Sequence, residues 1–443
     1  MCLRSIFIRY QRAAAHDITF LIMTSIKNAR KYAFYAILIL TLAGSVGSFL
    51  RFVLVYGMPA GWGDFANIRH AHSHTMFGWT ILALMAIIWR RLPLYTHNPL
   101  PAGARWQMAA TTLFSLLQLA AFWPNGYGLT QIGSATLPLG AMSAGFAGLT
   151  WFWFMALYWK ASRNIHPRPL PLRLWDWAVV LLLIASLGAM SEPGLLAMHI
   201  KNDFVKHLFL HLFLDIFTSG WLLLAILGVI WARLSAQKTP VVWLPVASLA
   251  LFSIPTFLLG MSPDLLSPWM FWVASLSHLV VSALIAVHVW RLLQRQSELP
   301  LLVKFGVLGL LVQIVAGVIM LSPAIWAWGA GMLRIFYLHD MLLLWSSSAL
   351  LGLLLAEFGN PSSVWRKWSE LLWMIGVGVM WLALLGGGFI QWLPISGKML
   401  LVAAAWSSAV IVLAAAMMLK CFLPWQSNEY AQEVNLRARN DAP

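Results

Sequence analysis

The chain has 443 residues, of which 61% are hydrophobic and 10% are charged, and its formal net charge is +15. Because a soluble globular domain carries about 25% charged residues, this composition excludes a protein whose whole exterior faces water. It predicts an all-α polytopic membrane protein, since backbone polar groups in lipid must be satisfied within each helix.

The first 30 residues are predicted to be a cytoplasmic lead-in to the membrane domain. They contain R-Y-Q-R and H-D-I-T-F-L-I-M-T-S, and Met23 offers an alternative start. A secretory signal peptide is the poorer interpretation, because the apolar stretch is short and interrupted and no good cleavage site follows it.

Twelve apolar runs follow within residues 31–424, each long enough to cross about 30 Å of hydrocarbon as a helix. The predicted spans are 32–57, 70–89, 106–124, 136–159, 174–191, 204–232, 240–260, 268–290, 302–323, 333–356, 371–393 and 399–423. The polar segment 425–443 is predicted to be a disordered cytoplasmic tail. With only Cys2 and Cys421 and no C-x-x-C-H, the sequence excludes a disulfide framework, a thiolate zinc site and a covalent c-type haem.

The basic residues predict the orientation of these spans. With both termini in the cytoplasm, 23 of the 29 Lys and Arg residues fall on the inner side, as the positive-inside rule requires. The net charge therefore reflects topology and contact with anionic lipid rather than nucleic acid. We predict a multi-pass protein of the bacterial inner membrane. The basic residues assigned to the outer side are Arg51, Arg69, Lys201, Lys206, Arg334 and Lys398.

Seven of the twelve histidines lie in or at the outer ends of four even-numbered spans, which all run from outside to inside. Ionisable side chains within a membrane are costly and mark functional sites, and histidine is the commonest metal and haem ligand among side chains. Candidate ligands from separate helices are thus expected to converge in the outer half of the bilayer. They are His70, His72 and His74 on span 2, His207 and His211 on span 6, His278 on span 8, and His339 on span 10.

Helical spacing sorts these candidates into faces. His207, His211 and Asp215 are four residues apart, and Ser219 extends the row, so one face of span 6 is a polar stripe that should face the bundle interior or a wet cavity. On span 2, His70 and His74 share a face and His72 points roughly opposite. Arg69 and Arg334 stand just outside spans 2 and 10, where guanidinium groups suit haem propionates or lipid phosphates.

Several histidines also have a plain structural interpretation. A single histidine at a membrane interface, such as His70, is most often an interfacial or helix-capping residue. His288 lies near the cytoplasmic end of span 8 and is expected to be structural, and the histidines in loops carry no signal. The many Trp and Phe residues are explained by membrane packing and aromatic belts, without a cofactor.

The arrangement resembles the main subunit of haem–copper oxidases, in which the low-spin haem is held between helices 2 and 10. The matching segments are R-H-A-H-S-H-T-M-F-G-W at 69–79 and F-Y-L-H-D-M-L-L-L-W at 336–345. The first is also similar to the W-H-A-H-E-M-L-F-G-F segment of NnrS-like haem and copper proteins, which are linked to nitric oxide stress. The segment H-L-F-L-H-L-F-L-D-I-F-T-S-G-W at 207–221 is similar to the corresponding helix of bacterial relatives of both groups.

The sequence departs from the oxidases at the residues of the oxygen-reducing centre. Met341 stands where a second helix-10 histidine would be, and predicted span 7 lacks the His-His pair that binds copper. The tyrosine that follows the copper ligand on helix 6 has no counterpart, and few buried acids mark a proton channel. Proton-pumping oxygen reduction is therefore not expected, and the chain looks like a reduced relative.

What the resemblance implies is one haem b held between His72, or His74, and His339. A second metal or small-ligand site would use His207 and His211, with or without His278 and Asp215, and copper is the metal that suits imidazole ligands there. Asp340 would orient another ligand or merely place a charge at a helix N-terminus. The implied function is redox chemistry or nitric oxide or oxygen binding near the periplasmic face, with a respiratory electron donor or partner subunits. Whether the protein is an enzyme, in which case an oxidoreductase, stays open.

Two other functions fit the same residues. A haem-free transporter could pass a proton or metal ion along the span-6 stripe, although matched Gly/Pro-broken helices, typical of transporters, are lacking. An assembly factor could lend haem or copper to a respiratory oxidase.

Overall fold

The computed structural model describes residues 2–235, 244–360 and 363–423, with side chains described from residue 29 onward except at 196–197. In this part of the chain, twelve principal helical segments follow one another, and we number them in chain order. They are α1 Cys2–Tyr56, α2 Phe65–Arg91, α3 Ala104–Asn125, α4 Leu139–Ser162, α5 Leu170–Ala197, α6 Asp203–Ser235, α7 Val246–Gly260, α8 Pro268–Leu293, α9 Leu301–Ile319, α10 Arg334–Phe358, α11 Val364–Gly388 and α12 Gly397–Leu419.

Short elements connect these helices. A two-stranded antiparallel hairpin between α3 and α4 pairs β1 Thr130–Ile132 with β2 Ala135–Leu137. The short helices are Pro93–Thr96, Pro263–Leu265, Gln296–Glu298, Pro323–Met332, Ile390–Trp392 and Lys420–Phe422.

Within the described ranges, ten helices are long and apolar enough to cross a membrane, which confirms the all-α polytopic class. The other two predicted spans correspond to α3 and α7. Helix α3 has 22 residues, about 33 Å at 1.5 Å per residue, but a buried polar face that includes Gln107, Thr111 and Gln118 makes it less apolar. Helix α7 reaches only from Val246 to Gly260. The predicted tail at 425–443 lies outside the described residues.

Three helices form the centre of the bundle. The most apolar windows of α2, α6 and α10 are 78%, 89% and 78% buried, whereas those of the other seven membrane-spanning candidates among the described residues stay at 50% or below. The outer helices present large apolar side chains to the surroundings, as expected where lipid covers the bundle. Six of the seven predicted site histidines are on the three central helices, so protein rather than lipid surrounds their helices.

The two ends of the bundle are chemically different. At one end, which we call the histidine end, the last turns of α1 contact the beginnings of α2 and α10, and the beginning of α6 contacts that of α10. At the opposite end, which we call the arginine end, Glu357 of α10 accepts hydrogen bonds from Arg91 of α2 and Arg233 of α6. One carboxylate therefore fastens all three central helices together.

Helices α6 and α10 are locally irregular just beyond their histidines. Each contains a π-helical segment, Ile216–Leu222 after Asp215 and Asp340–Ser347 after His339. In α10 the Ser347 hydroxyl donates to the carbonyl of Leu342, five residues back, at 2.6 Å. Segments of this kind are frequent at functional sites, because the extra residue turns the side chains before it toward a new direction.

Candidate functional site

His72 of α2 and His339 of α10 form the most informative pair at the histidine end. His72 Nδ1 lies 2.8 Å from the carbonyl oxygen of Ala43, and His339 Nδ1 lies 2.8 Å from that of Ile335. A carbonyl oxygen only accepts hydrogen bonds, so each Nδ1 carries a proton, and the neutral rings keep their lone pair on Nε2. The two rings lie near each other, and both lie near the Arg51 guanidinium.

Arg51 of α1 completes this pair. Its guanidinium donates to His339 Nε2 at 3.0 Å, and its charge also acts on His72. Gly47, one turn before Arg51, makes room for the His72 ring, because a Cβ at position 47 would lie 2.8 Å from His72 Nδ1. Helix α1 thus positions one histidine through Ala43 and Gly47 and contacts the other through Arg51.

His74 and His70 lie on the other face of α2. His74 Nε2 and the Tyr127 hydroxyl form a hydrogen bond of 2.7 Å, and the His74 ring stacks on Phe122 with centroids 4.1 Å apart. The His70 ring packs against Tyr127 at 5.0 Å. Burial raises the pKa of Tyr127 above its ordinary range, so the hydroxyl stays protonated. The structure therefore brings His72, and not His74, to His339.

The two predicted propionate-binding arginines lie apart from this pair. Arg69 is exposed, and its charge acts on His70. Arg334 donates instead to His211 Nε2. The basic residue beside His72 and His339 is Arg51. The sequence assigned Arg51 to the outer side of the membrane and predicted no function for it.

His211, Asp215 and Arg334 form a second polar cluster. His211 Nδ1 donates to the Asp215 carboxylate at 2.7 Å, and Arg334 donates to the other ring nitrogen. Gly260 of α7 allows this arrangement, because a Cβ there would overlap both the His211 ring and the Asp215 carboxylate. Both nitrogens of His211 are thus engaged, one of them by a cation.

The remaining predicted metal ligands are dispersed around this cluster. The His207 ring lies parallel to the His211 ring with centroids 6.3 Å apart, and its Nδ1 lies 2.8 Å from the carbonyl oxygen of Asp203. His278 of α8 is 5% exposed, and its Nδ1 has no hydrogen-bond partner among the described residues. Across those residues, no group of three or more His, Cys, Asp or Glu side chains is arranged to hold a metal ion.

A large cavity extends from the polar stripe of α6. Its volume is about 720 Å³, and His211, Asp215 and Ser219 line one part of it together with Arg334. His278 lines another part. Three of the four predicted stripe residues, His211, Asp215 and Ser219, therefore line a cavity, whereas His207 does not. The structure does not gather the two histidines with His278 around one point.

Asp340 and His288 have structural partners. Asp340 is 0% exposed, and its Oδ1 accepts a hydrogen bond from Trp381 Nε1 at 2.7 Å, while Oδ2 has no partner within the described chain. Asp340 thus ties α10 to α11 through this hydrogen bond. His288 accepts from Trp231 Nε1 at 3.2 Å, in keeping with its structural interpretation.

Sequence reasoning missed Arg51, Tyr127 and Trp381. Each of them contacts a candidate site residue from a different helix or loop, and no spacing along the chain indicates such contacts. No protein-family model and no curated protein matches the chain. Its function is therefore inferred from the geometry together with the motif resemblance.

Proposed function

We propose that this protein binds one haem b through His72 and His339, near the periplasmic face of a bacterial inner membrane. The observation that carries the proposal is the pairing of two imidazoles from central helices, each with its Nδ1 proton on a backbone carbonyl and its lone pair on Nε2. Haem ligands in proteins commonly have this second partner, which fixes the ring and its tautomer.

The surroundings of the two rings fit a haem in chemistry. Their helices are buried within the bundle, so lipid does not compete for the site. Arg51 is a cation that could pair with a propionate, and binding of iron would replace its present contact with His339 Nε2. A haem with two histidine ligands transfers single electrons, and it binds nitric oxide or oxygen where one ligand gives way.

The proposal includes the finer topology. The twelve helical segments, α3 and α7 included, would cross the membrane with both termini in the cytoplasm, as in the oxidase-like bundle. The arginine end would then be the cytoplasmic end. An electron donor or respiratory partner subunit would approach from the histidine end, where α2 begins one to two turns before His72.

Copper stays a separate prediction. A copper ion bound by His207 and His211, with or without His278 and Asp215, would require Arg334 to leave His211 Nε2. Metal analysis of the purified protein and of the His207→Ala/His211→Ala variant tests it. A copper content that is lost in the variant would support the site, and an unchanged content would count against it.

The haem proposal is tested by pyridine haemochrome spectra of the purified chain and of single histidine variants. We expect haem b in the native protein, its loss in His72→Ala and in His339→Ala, and its retention in His74→Ala. The His74 variant is the matched control, because it removes a histidine from the same helix but from the opposite face. Absence of haem b, or haem that survives both ligand substitutions, would overturn the proposal.

A further inference from the structure

The cavity of about 720 Å³ has the size of a binding site for a small organic molecule. It lies among α6, α7, α8, α9, α10, α11 and the short helix Pro323–Met332. Helix α10 contributes Arg334, Tyr337 and Leu338 to its wall, whereas His72 and His339 are not among the lining residues. The cavity is therefore distinct from the proposed haem site.

The cavity opens sideways at the apolar surface of the bundle. Leu308, Leu311 and Val315 of α9 and Leu382 of α11 line it, and each of these side chains is also exposed on the outside, by 44% to 62%. Lipid covers such a surface in a membrane protein. We call this opening and the space behind it the lateral cleft, and an occupant would enter it from the bilayer.

The wall of the lateral cleft contains two buried polar groups without partners. His278 Nδ1 and Gln313 Oε1 form no hydrogen bond within the described part of the chain, although the residues are only 5% and 1% exposed. Leaving such a group unpaired is unfavourable, so both point to a ligand that supplies the missing hydrogen bonds. An amide oxygen only accepts, so the ligand must bring a hydrogen-bond donor, whereas His278 Nδ1 can donate or accept. A hydroxyl group both donates and accepts, so it can satisfy either group.

The charged groups of the lateral cleft balance each other. Arg334 carries a positive charge and Asp215 a negative charge, and the two interact with each other and with His211. A neutral head group leaves this balance intact. A phosphate head group would instead place an excess negative charge beside the Asp215 carboxylate, in surroundings of low dielectric constant.

We propose that the lateral cleft binds a neutral, membrane-dissolved amphiphile with a hydroxyl head group and an apolar body. Two membrane sources share this chemistry, reduced quinones and acylglycerols. The apolar body would occupy the part lined by α9 and α11, with its hydroxyl group at Gln313 or His278. This binding site goes beyond the proposed haem site and does not require haem to be present.

The test is equilibrium binding to the full chain in phosphatidylcholine nanodiscs. Radiolabelled decylubiquinol and 1,2-dioctanoylglycerol are the two neutral probes, and dioctanoyl phosphatidic acid is the charged comparison. We expect saturable binding of one neutral probe, which identifies the source, and binding of phosphatidic acid at least tenfold weaker. Absence of saturable binding for both neutral probes, or tighter binding of phosphatidic acid, would overturn the proposal.

Two glycine substitutions on α11 locate the binding. Gly378 lines the cleft and Gly387 does not, and an added Cβ at either position meets no atom within 4 Å. Gly378→Phe should fill the cleft and weaken binding at least tenfold, whereas Gly387→Phe should bind as the native chain does. Equal binding by both variants would show partition into lipid rather than binding in the cleft. Leu382→Trp, at the exposed mouth, serves as a second blocking variant should Gly378→Phe fail to fold.

Changes in the polar wall test how the head group is recognised. Gln313→Met removes the acceptor and should weaken binding of the neutral probe several-fold. Asp215→Asn leaves Arg334 unbalanced and should improve binding of phosphatidic acid relative to the neutral probe; an unchanged preference would contradict the charge argument. Haem content is measured on the same samples. Haem-free protein that still binds the probe would overturn the haem proposal and leave the proposed binding site in the lateral cleft standing.

Discussion

Replacing Glu357 by Gln should destabilise the bundle, because this carboxylate joins the three central helices. Glu357 is 7% exposed in its side chain, and its partners Arg91 and Arg233 are 12% and 31% exposed. Removing one partner of a buried ion pair costs about 3–5 kcal/mol. The partly exposed contact to Arg233, at 3.5 Å, adds less than about 1 kcal/mol. We therefore expect a loss of about 3–6 kcal/mol in the free energy of unfolding, most of it from the pair with Arg91.

The assay is thermal unfolding in detergent, followed by tryptophan fluorescence, with Glu298→Gln as the matched control. Glu298 pairs with Arg295 on one connecting segment, three residues away, with side chains 27% and 19% exposed. The control should lower the midpoint far less than Glu357→Gln. Replacing both Arg91 and Glu357 by apolar residues, as in Arg91→Met/Glu357→Leu, should restore part of the loss, because no unpaired buried charge remains between these two residues. Equal midpoints for Glu357→Gln and the control would refute the claim that the Glu357 carboxylate stabilises the contact among the three central helices.

Three further predictions concern the histidine end. Gly47→Leu should displace the His72 ring and abolish haem binding, measured by the haem-to-protein ratio. The control Gly145→Leu should keep the haem, because a side chain added there meets open space. An unchanged ratio in Gly47→Leu would contradict the close packing of His72 against Gly47. Arg51→Gln should lower the haem reduction potential by roughly 40–90 mV, which corresponds to about 1–2 kcal/mol, because a nearby cation favours the reduced state. A redox titration that shows no decrease would argue against Arg51 facing the haem. Trp381→Phe leaves both Asp340 oxygens unpaired in a buried site and should lower the free energy of unfolding by about 1–3 kcal/mol. The Trp381→Phe/Asp340→Asn double variant should lose less, because it no longer buries an unpaired carboxylate. A double variant less stable than Trp381→Phe would show that the carboxylate charge does not cause the loss of stability.

The fold was predictable from the sequence because length and hydropathy determine which segments can cross a membrane. The predicted span 204–232 corresponds to α6 at Asp203–Ser235, and 333–356 corresponds to α10 at Arg334–Phe358. The π-helical segments were not predictable, because an apolar run has the same composition whether or not one of its turns contains an extra residue. The central position of α2, α6 and α10 also follows from packing rather than from any one segment's composition.

The candidate site was predictable only as a set of residues at one end of the bundle. Histidines two residues apart on a helix, such as His72 and His74, point in roughly opposite directions, and the sequence does not show which direction faces α10. A long guanidinium side chain can reach several partners. Arg334 therefore contacts His211 rather than His72 or His339. Arg51, which the sequence assigned only to the outer side, contacts His339.

The most direct test of the central claim is the low-temperature electron paramagnetic resonance spectrum of the oxidised native protein, together with its haem-to-protein ratio. Two imidazoles on one iron predict one haem b per chain with a low-spin ferric signal, which becomes high-spin or disappears in His339→Ala. A native protein without haem, or one whose low-spin signal is unaffected by that substitution, would contradict the claim that His72 and His339 share an iron.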